Sequence, residues 1–197
     1  MTERPDQELE IMWTGIGGQG VQLAAKILAL AATRDGREVM SLGTYGGTMR
    51  GGNTDATIVI ADGPIQSPPM VSKTWAALVV HPRFYEPIAP KLRPDGLVFV
   101  DADLLEGPLP ETTAEQVSLP ATQIAREADA SKAAALVLLG AFAHATGIVS
   151  PDALEAGLAE ALPSYRQQTL ESNRRALLAG HDAVSARTQP AWTTEAA

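Results

Sequence analysis

The sequence contains no cysteine. That absence excludes disulfides, cysteine nucleophiles and cysteine-ligated zinc or iron–sulfur clusters within this polypeptide. Histidine is scarce too: His81, His144 and His181 lie far apart without metal-ligand spacing, so each reads as a buried or surface histidine, and no metal site is expected. Basic residues are in the minority, with 15 Lys and Arg against 23 Asp and Glu and a net charge of −8. They are scattered, Arg174-Arg175 being the densest pair, so no stripe suited to a nucleic-acid backbone exists. Long apolar runs are missing as well. The most apolar segment, 133–149, is interrupted by His144 and Thr146 and falls short of the ~20 residues a membrane span needs. The charged start, Met1 to Glu10, is no signal peptide. These absences lead us to expect a soluble, cytoplasmic protein. Its 197 residues fit one domain, placed at 1–183, with a loose Thr-, Ala- and Pro-containing tail at 184–197.

What is present is glycine in informative places. Thr14-Gly15-Ile16-Gly17-Gly18-Gln19-Gly20-Val21 stands between an apolar run, 8–14, and a helical pattern over 19–34 with apolar residues at Val21, Ala24, Ala25, Leu28, Ala31 and Ala32. Glycines at a strand-to-helix junction tolerate positive φ and let backbone N–H groups approach a ligand. The first helical turn adds free N–H groups and about half a positive charge. Gly15, Gly17, Gly18, Gln19 and Gly20 are therefore candidates for holding a phosphate or pyrophosphate, in a Rossmann-like first turn. The alternative is a tight turn whose glycines serve only packing. An NAD site would need an acidic residue about 20 positions on, at the end of the second strand. That strand is placed at 37–43 and ends Ser41-Leu42-Gly43-Thr44, while Asp35 falls in the turn before it, so NAD is disfavoured.

Strand and helix patterns alternate through the first two thirds, with strands expected at 8–14, 37–43, 54–60, 75–81 and 97–101 and a short one at 116–119. A short helix over 81–91, opening at Pro82, and a turn at Pro94-Asp95-Gly96 separate the later ones. The last third is helical, over 120–128, 131–146, 150–161 and about 164–179. The expectation is an α/β fold: a mainly parallel sheet between helices on both faces, three layers in all, with a helical C-terminal third. Gly147 is the expected C-cap of the second of these helices, and Ser150-Pro151-Asp152 the start of the next.

A second glycine-rich stretch, Tyr45-Gly46-Gly47-Thr48-Met49-Arg50-Gly51-Gly52-Asn53, follows the second strand. Its glycines make the backbone approachable, and Arg50 could offer a guanidinium fork to a carboxylate or phosphate. Tyr45, Arg50, Gly51 and Gly52 are accordingly candidates for a second wall of the same site, because ligands of open α/β sheets collect at the carboxyl edge of the strands. A solvated Arg50 and a packing role for Tyr45 are the plainer readings.

The pattern of these residues resembles the gamma subunit, or gamma domain, of the 2-oxoacid:acceptor (ferredoxin) oxidoreductases, the family of pyruvate, ketoisovalerate, 2-oxoglutarate and indolepyruvate oxidoreductases. The likeness runs through Gly15-Ile16-Gly17-Gly18-Gln19-Gly20, Ala25-Lys26-Ile27-Leu28, Tyr45-Gly46 with Met49-Arg50-Gly51-Gly52, Pro64-Ile65 with Ser67-Pro68, and Lys91-Leu92-Arg93-Pro94-Asp95-Gly96. Leu139-Gly140 and Asn173-Arg174-Arg175-Ala176 continue it, so it spans nearly the whole chain. The resemblance implies a subunit of a thiamine-diphosphate enzyme that oxidatively decarboxylates a 2-oxoacid, passes electrons through iron–sulfur clusters to ferredoxin or a similar acceptor, and yields an acyl-CoA. This chain has neither cysteines nor a Gly-Asp-Gly followed by a paired Asn-Asn. Thiamine diphosphate, Mg and the clusters are therefore expected in alpha, beta and iron–sulfur partner subunits. No catalytic residue is expected here, and the chain alone should be inactive. Its implied part is assembly and the coenzyme A site. The competing readings are a stand-alone nucleotide- or flavin-binding oxidoreductase and a non-catalytic scaffold.

Overall fold

The computed structural model describes residues 7–46, 51–66, 68–187 and 190–192. Its centre is a six-stranded mixed sheet of order β2-β3-β1-β4-β5-β6. The strands are β1 (Glu8–Ile16), β2 (Glu38–Tyr45), β3 (Asn53–Ala61), β4 (Thr74–Val79), β5 (Leu92–Asp101) and β6 (Glu115–Leu119). β1, β4, β5 and β6 pair in parallel, whereas β3 runs antiparallel to both β1 and β2. The reversal has a plain cause: a parallel crossover needs about a dozen residues or more, and the stretch from Tyr45 to Asn53 is too short for anything but a hairpin. So β3 occupies the place beside β1 that the second strand holds in a dinucleotide fold, and the βαβ unit expected of an NAD protein is not formed.

The helices are α1 (Val21–Arg34), α2 (Ala121–Glu127), α3 (Ala134–Thr146), α4 (Pro151–Ala161) and α5 (Leu170–Asp182). Buried residues of all five join Leu9, Ile11, Trp13, Ile58, Ile60, Leu78 and Phe99 in one core, on one face of the sheet. The other face is covered over β4 and β5 by Tyr85, Ile88, Ala89 and Ala114. This outer layer is built of 3-10 turns at Pro82–Phe84 and Ala89–Lys91 rather than the expected helix. Pro87 and Pro90 deny an α-helix there its backbone donors. The expected turn at Pro94-Asp95-Gly96 falls inside β5, where the register with β4 slips between Thr74 opposite Leu92 and Ala76 opposite Leu97.

α3 is buried nearly all round and is pinned from below by Phe142, whose ring meets Trp75 at 5.8 Å and Phe99 at 5.5 Å. It ends at Gly147 with φ 61°, the left-handed cap that glycine supplies at little steric cost. α4 opens on Ser150, whose Oγ accepts from Ala153 N at 3.2 Å. Asp35, just past α1, accepts from Ser150 N at 2.6 Å and from Ser150 Oγ at 2.7 Å, tying the two helices together. Asp35 is thus structural.

The tail differs from the loose segment anticipated after residue 183. Arg187 N donates to Ala145 O and Ala191 N to Thr146 O, while Trp192 Nε1 donates to Ile148 O at 2.9 Å and Arg37 stacks 4.0 Å over the Trp192 ring. One apolar ring with a polar handle suffices to dock the described part of the tail. No helix among the described residues is long and apolar enough to cross a membrane.

Candidate functional site

β1 ends at Ile16 and α1 begins at Val21, so the first glycine loop is the predicted strand-to-helix turn. Gln19 closes it: Ile16 N donates to Gln19 Oε1 at 2.7 Å and Gln19 N to Ile16 O at 3.1 Å. Gln19 therefore shapes the loop with the atoms that might otherwise meet a ligand. Gly15 lies buried within β1, where a Cβ would stand 2.8 Å from Val21 Cγ2, so its role is packing. Gly18 and Gly20 take φ of 102° and 85°. A Cβ on Gly18 would meet nothing within 4 Å, so glycine is required there for conformation while open space lies beside it. Gly20 is the N-cap of α1, and no side chain caps that helix.

The second loop does come to the first. Gly17 N donates to Gly52 O at 3.0 Å, and Gly46 N donates to Asn53 O at 2.7 Å. Gly51, at φ 74°, leads into that contact. Tyr45 stands 73% exposed at the end of β2. Arg50, with the neighbouring Gly47, Thr48 and Met49, lies outside the described residues.

Between these loops and the start of the C-terminal helices is a cleft of about 1220 Å³. Gly17, Gly18, Gly20, Tyr45, Gly46 and Asn53 form one side, and Ser131, Lys132, Ala133, Tyr165, Arg166, Thr169, Ser172 and Asn173 the other. Three helix starts converge on it: Gly20, Ala133 and Thr169 are the N-caps of α1, α3 and α5, and none makes a side-chain cap bond. α5 is entered through a 3-10 turn, Ser164–Thr169, whose Tyr165, Arg166 and Thr169 line the cleft. Among the described residues no Asp or Glu lines the cleft, and neither Lys132 nor Arg166 has a carboxylate partner. In a chain of net charge −8 this is a concentration of positive potential. Neither Lys132 nor Arg166 belongs to a motif in the sequence. Lys132 lies 79 residues beyond Asn53, the end of the second glycine loop, and Arg166 farther still, so no spacing rule links them to either loop.

The groups whose proton affinity is displaced lie elsewhere. His81 follows β4, and burial, aided by the Arg83 guanidinium, holds its imidazole below its ordinary value; its Nδ1 accepts from Arg83 N at 3.2 Å. Tyr85 is fully buried on the outer face of the sheet, and burial pushes its hydroxyl up to about 12. No group of three or more His, Cys, Asp or Glu that could hold a metal ion occurs among the described residues. The cleft thus offers anion-holding groups and no carboxylate or imidazole for acid–base chemistry.

Fold and cleft together define an α/β protein with a candidate anion-holding cleft. The chain belongs to the pyruvate ferredoxin/flavodoxin oxidoreductase family, whose pattern matches residues 10–183, as a gamma subunit of a 2-oxoacid:ferredoxin oxidoreductase complex. The 2-oxoglutarate synthase subunit KorC of Methanocaldococcus jannaschii is 32% identical over 176 residues, 88% of this chain and 92% of that protein. The gamma subunit of a keto/oxoacid ferredoxin oxidoreductase from Geobacter sulfurreducens superposes with a TM-score of 0.78 at 29% identity, covering 90% of this chain and 96% of that one. The 2-oxoglutarate:ferredoxin oxidoreductase of Magnetococcus marinus, solved with 2-oxoglutarate, coenzyme A and succinyl-CoA bound, shares the fold with a TM-score of 0.80 at 20% identity. The likeness covers 96% of this chain and 34% of that one.

Proposed function

We propose that this chain serves a complex that oxidatively decarboxylates a 2-oxoacid to an acyl-CoA and reduces ferredoxin or a similar acceptor, and that its own task there is to hold the phosphates of coenzyme A. The observation that carries the reading is the carboxylate-free cleft of an acidic protein, into which uncapped helix N-termini and two cations without carboxylate partners are directed. Coenzyme A brings a pyrophosphate and a 3′-phosphate, and each suits such a surface. The N–H groups around Gly18, Gly20 and Val21 bind one phosphate, with Lys132 and Arg166 available to another. Tyr45 and Asn53 wall the entrance, the Gly51-Gly52 turn ties the second loop to Gly17, and Arg50 of that loop is assigned a guanidinium contact to a phosphate or an interfacial carboxylate. The chain binds and orients; it moves no proton and holds no electron.

Thiamine diphosphate with its Mg would supply the carbanion chemistry and clusters the electron path. This chain has no cysteine and no Gly-Asp-Gly with paired Asn-Asn to hold them, so alpha, beta and iron–sulfur partners carry both, and the subunit alone is inactive. The test uses the assembled complex with Lys132→Ala and Arg166→Ala. Loss of one charge-assisted bond costs about 1.5–3 kcal/mol, so the apparent KM for coenzyme A rises roughly 10- to 150-fold with the 2-oxoacid KM unchanged. Wild-type kinetics for coenzyme A in both variants would remove the ligand from this cleft.

A further inference from the structure

β2 is the edge of the sheet; among the described residues it pairs only with β3, and none of its eight residues is buried. Edge strands are ordinarily blunted by charge, proline, shortness or a cover. At the opposite edge β6 has five residues, and its Glu115 is pinned by Arg187 of the tail at 2.9 Å. β2 has no such device. Between Glu38 and Arg50 the sequence carries no charge and no proline. The ladder also reveals which groups face outward. Gly46 N bonds Asn53 O, and bonding alternates along an antiparallel pair, so Val39, Ser41, Gly43 and Tyr45 turn their N–H and C=O away from β3. The side chains of Val39 and Ser41 lie on the α1 side, where a Cβ on Gly43 would meet Gln22. There, with Lys26, Ala29 and Thr33 of α1, they line a groove of about 320 Å³. Lys26 is exposed; its ammonium donates to Ala161 O at the end of α4 at 3.4 Å and makes no ion pair among the described residues, so it has donors left for a carboxylate.

We infer that an extended segment of another subunit of the complex adds to β2 as a seventh strand. It would hydrogen-bond the outward groups of Ser41 and Gly43, lay small apolar side chains into the groove and set a carboxylate against Lys26. This is strand addition, in which the backbone supplies affinity and alternate side chains supply selectivity. A second copy of this chain fits less well, because it would bring another net charge of −8 and only Glu38 as a carboxylate on its own β2. That charge favours a different subunit as the occupant. The added strand also rests on the coenzyme A reading, since β2 ends at Tyr45 on the cleft wall and a strand running past it brings partner residues to the ligand.

The experiment compares amide hydrogen exchange of the isolated subunit with that of the complex co-expressed with its thiamine-binding and iron–sulfur subunits. The expected result is an isolated monomer with rapid exchange at Ser41 and Gly43, slowed roughly 100-fold in the complex. Ser41→Pro removes an outward donor and spares the bonds to β3. It should lower recovery of the complex about tenfold without moving the thermal midpoint of the isolated subunit. Lys26→Glu, on the exposed face of α1, should weaken assembly in the same direction and guards against a Pro variant that fails to fold. Equal exchange at Ser41 and Gly43 in the two states of a fully assembled complex would overturn the inference and leave the coenzyme A reading standing. Protection of these amides in a self-associated isolated chain, abolished by Ser41→Pro, would overturn it in favour of a second copy. Failure of the wild-type chain to join any thiamine-binding subunit would overturn both readings.

Discussion

Replacing Gly140 by alanine tests how the C-terminal helices are fastened. Gly140 of α3 faces the Leu177 carbonyl of α5, and Gly180 of α5 faces the Val137 carbonyl of α3, so each helix supplies the other with a glycine at its closest approach. A Cβ at either place would lie deep inside the radius of the facing backbone oxygen. Backbone cannot swing aside as a side chain can, so the cost sits near the upper end of overpacking, about 3 kcal/mol. Alanine returns about 1 kcal/mol of helix propensity. The net loss is about 2 kcal/mol, which in a chain of this size lowers the thermal midpoint by about 4–8 °C. Thermal unfolding of the isolated subunit followed by far-ultraviolet circular dichroism measures it. Gly157→Ala, where the Cβ stands 2.9 Å from Ile27 O and 3.2 Å from Ala31 N, should cost less. The double variant Gly140→Ala/Gly180→Ala should cost at least about 0.5 kcal/mol less than the sum of the singles, because helices parted by the first Cβ already make room for the second. A Gly140→Ala subunit as stable as wild type, or strict additivity, would refute the reciprocal contact.

Two further outcomes follow from the outer face of the sheet. Tyr85 is fully buried and its hydroxyl has no hydrogen-bond partner among the described residues, so Tyr85→Phe should raise stability by about 1 kcal/mol, or about 2–4 °C in thermal unfolding; a loss would show that the hydroxyl is bonded. His81 is held below its ordinary value of 6.5 by burial and then by Arg83, so the unfolded chain takes up the proton first as pH falls. Its contribution is complete above about pH 6.5 and is lost as pH falls from there through the lower folded value. His81→Ala should therefore flatten the acid-side slope of stability against pH over that window, and an unchanged slope would contradict it.

The sequence disclosed the strand-to-helix glycine turn, the position of every strand and the cap residues Gly147 and Ser150, because those are local signals. The expected sheet is mainly parallel, with no direction assigned to β3, and it is the short link from Tyr45 to Asn53, which allows only a hairpin, that makes β3 antiparallel to its neighbours. The outer layer was misjudged because Pro82 reads as a helix start, whereas Pro87 and Pro90 then forbid the helix. One half of the cleft was legible, in Gly17, Gly18, Gly20 and Tyr45. The other half was not: Lys132 and Arg166 are an isolated lysine and arginine in sequence and acquire meaning only when α3 and α5 carry their N-termini to the same edge as α1. Gly15 and Gln19 show the converse, residues of the motif that build the loop without facing the cleft.

The central claim is tested most directly by a structure of the assembled complex with coenzyme A bound. The account predicts a phosphate of coenzyme A within about 3 Å of the backbone nitrogens at the Gly18–Val21 turn, with Lys132 or Arg166 on another of its phosphates. Coenzyme A whose phosphates are held entirely by partner subunits, with this cleft facing away from it, would contradict the account.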